Sequence, residues 1–134
     1  MADQNDPRND PRVVDMDPAD VKAALDRGEI LLVDVREPYE YGFERIPGAL
    51  LLPLAQFDPA YLPPDGAGGR TIVLHCGTGR RSAKAVQRCC DKGGAAQFRH
   101  VKGGLQGWKE AEQPTLGVDP STGAPRMMDN RKQQ

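Results

Sequence analysis

The 134-residue chain has little of several things that would otherwise direct its reading. It holds only three cysteines, and an odd number with Cys89 and Cys90 adjacent offers no disulfide framework, because neighbouring cysteines bridge only with strain. It holds two histidines, His75 and His100, and no Cys-x-x-Cys or His-x-x-x-His spacing, so no metal site is expected and no cofactor is assigned. No apolar run approaches the roughly 20 residues that span a bilayer. The stretch Met1 to Asp6 lacks a basic region followed by an apolar one. Neither charge dominates, with 18 Lys and Arg against 19 Asp and Glu, which removes any general attraction to nucleic acid or to an anionic membrane. These absences together predict a small cytoplasmic domain in a reducing compartment, without nucleic-acid or membrane partners.

What the chain does have is an alternation of aliphatic runs with helical patterns. Asp17 followed by Pro18 opens a helix over 18–27, with Val21, Ala24 and Leu25 as its apolar stripe and Gly28 as its stop. Residues 30–35 are nearly all aliphatic, as in a strand covered on both faces. Pro47-Gly48 reads as a turn, and Leu50 to Leu52 as a short buried strand. A second aliphatic strand covers 71–74 after a Gly/Pro-rich surface loop at 63–70, and a helix follows with Ser82 as its N-cap. Phe98 to Val101 is the last strand of the series, and residues 105–110 form a short helix carrying Trp108. Val13-Val14 starts a further short strand. Such an alternation predicts an α/β fold with a central, mostly parallel sheet of about five strands and helices on both faces. One domain over 13–116 is expected, flanked by disordered segments at 1–12 and 117–134, where Asp, Asn, Pro and Arg show no apolar period. Cys89 and Cys90 fall on the helix after the second strand and are expected to pack against the sheet.

The densest chemistry lies between that strand and that helix, in His75-Cys76-Gly77-Thr78-Gly79-Arg80-Arg81-Ser82. Glycine-freed amides near a helix N-terminus, with arginines beside them, form an anion-holding turn, and a cysteine there is favoured as the nucleophilic thiolate. His75 is read as held by packing under the loop. In open parallel sheets, ligands collect beyond the carboxyl ends of the strands. Asp34-Val35-Arg36, Cys76 and Gly103-Gly104 all stand at such ends, so they are expected to converge on one pocket.

Cysteine-dependent phosphatases carry His-Cys-x-x-x-x-x-Arg followed by Ser or Thr. Here Arg81 comes one residue sooner and Ser82 stands where the phosphatase arginine would be, leaving a shorter loop suited to a smaller anion. The chain resembles the rhodanese (thiosulfate sulfurtransferase) family instead. Cys76, Gly79, Arg81 and Ser82 match its Cys-x-x-Gly-x-Arg-Ser loop, and Leu31 to Glu37 is similar to its strand ending in Asp-Val-Arg. Glu40-Tyr41 with Ile46-Pro47-Gly48-Ala49, and Gly103-Gly104 with Trp108, match further landmarks. The resemblance spans residues 13 to 116 and departs where Glu44-Arg45 replaces the usual Gly-His. Arg45 is read as a surface charge.

The resemblance implies a rhodanese-like fold and a sulfurtransferase that moves sulfur from a small anionic donor such as thiosulfate, through a Cys76 persulfide, to cyanide or a cellular thiol. It implies Cys76 as nucleophile, and Gly77, Thr78, Gly79, Arg80, Arg81 and Ser82 as the donor-binding loop, with Arg81 orienting the donor's sulfonate. Asp34, Arg36 and Glu40 would shape the pocket. Two other classes stay open: a cysteine-based phosphatase or arsenate reductase, and a non-catalytic rhodanese-like regulatory or binding domain.

Overall fold

A computed structural model describes residues 5–132 of the chain. Its frame is a five-stranded sheet with neighbours in the order β1 (Val13–Met16), β6 (Phe98–Val101), β5 (Thr71–His75), β2 (Ile30–Asp34) and β4 (Leu50–Leu51). Every pairing in it is parallel. The crossovers carry α1 (Pro18–Asp26), α2 (Pro38–Phe43) and α3 (Arg80–Gly93), and α4 (Gly104–Glu110) follows β6, the last of these strands in the chain.

The unbroken aliphatic runs follow from burial on both faces. On one face Val33, Ile72, Leu74 and Phe98 pack beneath Ala85, Val86, Cys89 and Cys90 of α3. On the other, Ile30, Leu32, Val73 and Val101 meet Val21 and Ala24 of α1 and Trp108 of α4. Successive residues of β2 and β5 therefore serve opposite cores, as the period of two in a strand requires. Cys89 and Cys90 are part of the α3 core, and burial pushes the Cys89 thiol up to about 12.

Several local expectations change. Leu50 to Leu52 is not a buried strand. Only Leu50 and Leu51 pair, at the sheet edge, and Leu50 is 54% exposed. The N-cap of α3 is Gly79 and not Ser82, because Gly79 takes the left-handed φ of +106° and its carbonyl accepts the first helical bond from the Ala83 N–H. Ser82 lies inside the first turn, fully buried.

The flanking segments expected to be disordered carry structure where they are described; residues 1–4 and 133–134 lie outside the described residues. Residues 7–9 form a 3-10 turn with Pro7 buried and Asp6 accepting from the Arg8 N–H. Arg12 ties this segment to Asp91 of α3 at 2.7 Å. At the other end β7 (Thr115–Val118) pairs antiparallel with β8 (Pro125–Met128) and with β3 (Glu44–Arg45). Polar contacts and backbone pairing hold both segments, which an apolar-period criterion does not register.

Candidate active site

All five strands of the large sheet run the same way, so the ends of β2, β5 and β6 open on one edge. Cys76 follows β5 there and is 1% exposed. Its sulfur accepts the N–H of Gly79 at 3.1 Å. The loop is held by its carbonyls. The Leu105 N–H donates to Cys76 O at 2.8 Å and the Gln106 N–H to Gly77 O at 3.0 Å, so the start of α4 clamps the turn from outside. Gly104 is required at that clamp, because a Cβ on it would lie 2.5 Å from Cys76 O and 2.7 Å from the Gly77 carbonyl carbon.

The Asp34 and Arg36 side chains are almost fully buried and paired. Arg36 donates to Asp34 through its backbone N–H (2.9 Å), Nε (3.0 Å) and Nη2 (2.8 Å), and Nη2 also donates to Glu44 O at 2.7 Å. A buried pair satisfied this fully fixes loop geometry rather than moving protons. His75 is fully buried, with Nδ1 3.1 Å from Cys76 O and Nε2 3.4 Å from Asp34 Oδ2. Burial lowers its proton affinity against the pull of Asp34, leaving a neutral imidazole packed under the loop.

Glu40, at the start of α2, accepts from Arg81 through Nη1 at 2.7 Å and Nη2 at 3.1 Å. The Arg81 fork depresses the Glu40 carboxyl below its ordinary value. The guanidinium lies over the loop, since a Cβ on Gly77 would come within 3.1 Å of Arg81 Nη2. Arg80 turns outward instead, with Nη1 3.8 Å from Asp6. Thr78 is exposed on the loop's surface.

Three contributors escaped the sequence reading. Arg8 comes from the N-terminal turn, and its Cδ lies 3.5 Å from where a Gly79 Cβ would be. After their carboxylate partners, negative charge on Cys76 also raises the proton affinity of Arg8 and Arg81. Glu44 is buried, accepting from Lys109 Nζ (2.9 Å) and Thr115 Oγ1 (2.6 Å). Where the resemblance led one to expect Gly-His, this chain thus builds β3 and anchors the C-terminal hairpin, while Arg45 lies over the Tyr41 ring at 5.0 Å. The third is Asn130, which donates to Gln113 O and Thr115 Oγ1 and brings the C-terminal segment to the site. A cleft of about 560 Å³ beside the loop is lined by Arg36, Glu40, Gly77, Gln106, Asn130 and Lys132. A larger one, about 710 Å³, lies at the starts of β2 and β5 and has no cysteine on its walls.

Residues 17–111 match the family model described as the rhodanese-like domain. The chain belongs to the rhodanese-like domain family. It is 33% identical over 96 residues to a sulfurtransferase of Allochromatium vinosum, covering 70% of this chain and 85% of that protein. It is 36% identical over 104 residues to the probable adenylyltransferase/sulfurtransferase MoeZ of Mycobacterium tuberculosis, covering 74% of this chain and 25% of that one. Against the crystal structure of a rhodanese-related protein from Thermoplasma volcanium the TM-score is 0.63 at 27% identity, over 75% of this chain and 95% of the other. This rhodanese-like chain spans only 25% to 47% of the length of some curated relatives it matches. Among the described residues no helix is long and apolar enough to cross a membrane.

Proposed function

We propose that this rhodanese-like domain is a sulfurtransferase acting through a persulfide on Cys76. The observation that carries the reading is the position of the Cys76 sulfur, which accepts a peptide N–H from a short loop whose carbonyls are tied back to α4. Fixed N–H donors aimed at an anionic sulfur stabilise it without reorganisation, as an oxyanion hole does for oxygen. Membership of the family and the similarity to proteins named sulfurtransferases support the same chemistry.

In the first step the Cys76 thiolate attacks the outer sulfur of thiosulfate. A sulfur–sulfur bond forms to Cys76, the bond to the sulfonate breaks, and sulfite leaves with the electron pair. In the second, cyanide or a thiolate attacks the outer persulfide sulfur and the Cys76 thiolate departs. The Gly79 N–H already meets the Cys76 sulfur; the other amides of the loop from Gly77 to Ser82 would receive the transferred sulfur, and Arg81 the donor's sulfonate, for which its planar fork suits two oxygens at once. Binding the donor this way draws Arg81 partly from Glu40. Arg80, turned to Asp6, contributes general positive charge. Asp34, Arg36 and Glu40 shape the pocket, and the small donor and acceptor reach Cys76 past Gly77. The site of action proposed is the cytoplasm.

The test is thiosulfate:cyanide transfer by the wild type and by Cys76→Ser. The reading requires loss of transfer in the variant. Near-wild-type activity would overturn the nucleophile, and hydrolysis of a phosphate ester in place of sulfur transfer would move the assignment to a phosphatase.

A further inference from the structure

Beneath Gly79, three side chains that the transfer reaction does not use form a continuous chain of hydrogen bonds. His100, in β6, places Nε2 2.7 Å from Asp15 Oδ1 in β1 and Nδ1 2.8 Å from Ser82 Oγ in α3. Ser82 Oγ in turn lies 3.2 Å from the carbonyl oxygen of Gly79. Gly79 is the residue whose N–H reaches the Cys76 sulfur; that N–H and the carbonyl lie in adjoining peptide groups, so a bond to the carbonyl acts by fixing the Gly79 backbone that aims the N–H. His100 is 1% exposed and Ser82 0%, while the Asp15 side chain is 53% exposed, so the chain runs from solvent to the loop.

Counting hydrogens shows what this arrangement can do. Ser82 has one hydroxyl hydrogen and two acceptors within reach, His100 Nδ1 and Gly79 O. When His100 is neutral, the Asp15 carboxylate takes the Nε2–H, Nδ1 is a lone pair, and the Ser82 hydrogen points to it. Gly79 O then keeps only the Ala83 N–H. When His100 is an imidazolium, both ring nitrogens donate. The Ser82 oxygen accepts from Nδ1, and its hydrogen turns to Gly79 O. The other neutral tautomer would set the Nε2 lone pair against the Asp15 carboxylate and is disfavoured.

We propose that Asp15, His100 and Ser82 are positioning residues of the Cys76 loop, in which protonation of His100 switches the Ser82 hydroxyl onto the Gly79 carbonyl and favours anionic sulfur at Cys76. The consequence for catalysis rests on the sulfurtransferase reading, whereas the coupling of His100 to Cys76 does not. The groups facing His100 are Asp15 from β1, Arg8 from the N-terminal turn, and Ser82 and Gly79 at the start of α3. His75, on the neighbouring strand β5, follows Leu74, the register partner of His100. Burial, the largest influence, and Arg8 oppose the imidazolium, while Asp15 and the Gly79 backbone favour it, and the proton affinity of His100 lies below its ordinary value of 6.5. The switch therefore works below the ordinary histidine range. Coupling is reciprocal, so an anionic sulfur also favours the imidazolium.

The experiment uses the full chain and needs no sulfur transfer. The rate of Cys76 alkylation by iodoacetamide is followed by intact mass from about pH 5 to 8, the range in which histidine changes charge, and the His100 ring is titrated by NMR in parallel. The wild type is expected to show an inflection at the His100 midpoint. Below it the rate lies about fivefold or more above the curve for a single thiol ionisation, the low end of typical coupling between sites. His100→Gln and Ser82→Ala remove the inflection, and Asp15→Asn, altered at a half-exposed position, moves it to lower pH. A single ionisation in the wild type, or an inflection that survives Ser82→Ala, overturns the proposal. If the buried variants do not fold, Asp15→Asn decides: an inflection that stays at the wild-type pH overturns the proposal. A protein that shows the coupling but transfers no sulfur refutes the function and leaves the relay standing.

Discussion

Gly104→Ala tests the clamp on the catalytic loop by a single methyl group. The position has φ +62°, and the new Cβ would meet Cys76 O at 2.5 Å, the Gly77 carbonyl carbon at 2.7 Å and Gly77 O at 2.8 Å. All three are backbone atoms and cannot rotate away. A left-handed alanine costs about 1–2 kcal/mol. Displacing α4 from the loop also loosens the Leu105 and Gln106 amide bonds, at about 1 kcal/mol each. The expected loss is about 3–4 kcal/mol. Gly66→Ala is the control, since Gly66 has φ +88° but nothing within 4 Å of the added carbon, so it carries only the backbone cost of about 1–2 kcal/mol. Urea unfolding followed by the fluorescence of Trp108, the single and fully buried tryptophan, measures both. The two variants should differ by about 2 kcal/mol, or about 6–10 °C in Tm for a domain near this size. Cys76 reactivity should fall in Gly104→Ala alone. Equal stabilities, or a destabilised Gly104→Ala whose Cys76 reacts at the wild-type rate, would refute the clamp.

Arg36→Leu strands the buried Asp34 carboxylate and should cost about 3–5 kcal/mol in denaturant unfolding, with part of that recovered on adding Asp34→Asn. The Glu40 carboxyl, depressed by Arg81, gives up its proton more readily in the folded chain than in the unfolded one. Its contribution to stability is thus present above the ordinary glutamate range and lost as pH falls through the folded value. Arg81→Gln should therefore flatten the acid limb of a Tm-against-pH curve, and an unchanged limb would count against the Arg81–Glu40 pair. Because the Cys89 thiol is pushed up to about 12, iodoacetamide at mildly alkaline pH should label Cys76 well before Cys89 in the native protein, as read by peptide mapping.

The parallel sheet was legible because β2 and β5 are aliphatic on both faces, and strands of that kind with intervening helices leave few arrangements. The convergence of Asp34-Arg36, Cys76 and Gly103-Gly104 followed from the same parallel order. Ser82 was misplaced because a serine near a helix start has a strong capping preference, and only the left-handed φ of Gly79 shows that the cap comes earlier. Arg8, Glu44 and Asn130 lay beyond reach for another reason. Each comes to the site through polar contacts or short antiparallel pairing, which leave no hydrophobic period in the sequence. Asp6 and Arg8 fell in a segment expected to be disordered, yet Pro7 between them is buried in a 3-10 turn beside the loop.

Whether Cys76 carries sulfur is read from the intact mass of the protein after treatment with thiosulfate. The expected result is a gain of one sulfur atom that maps to Cys76, is removed by reductant or cyanide, and is absent in Cys76→Ser. An unchanged mass, or a gain that maps to Cys89 or Cys90, would contradict it.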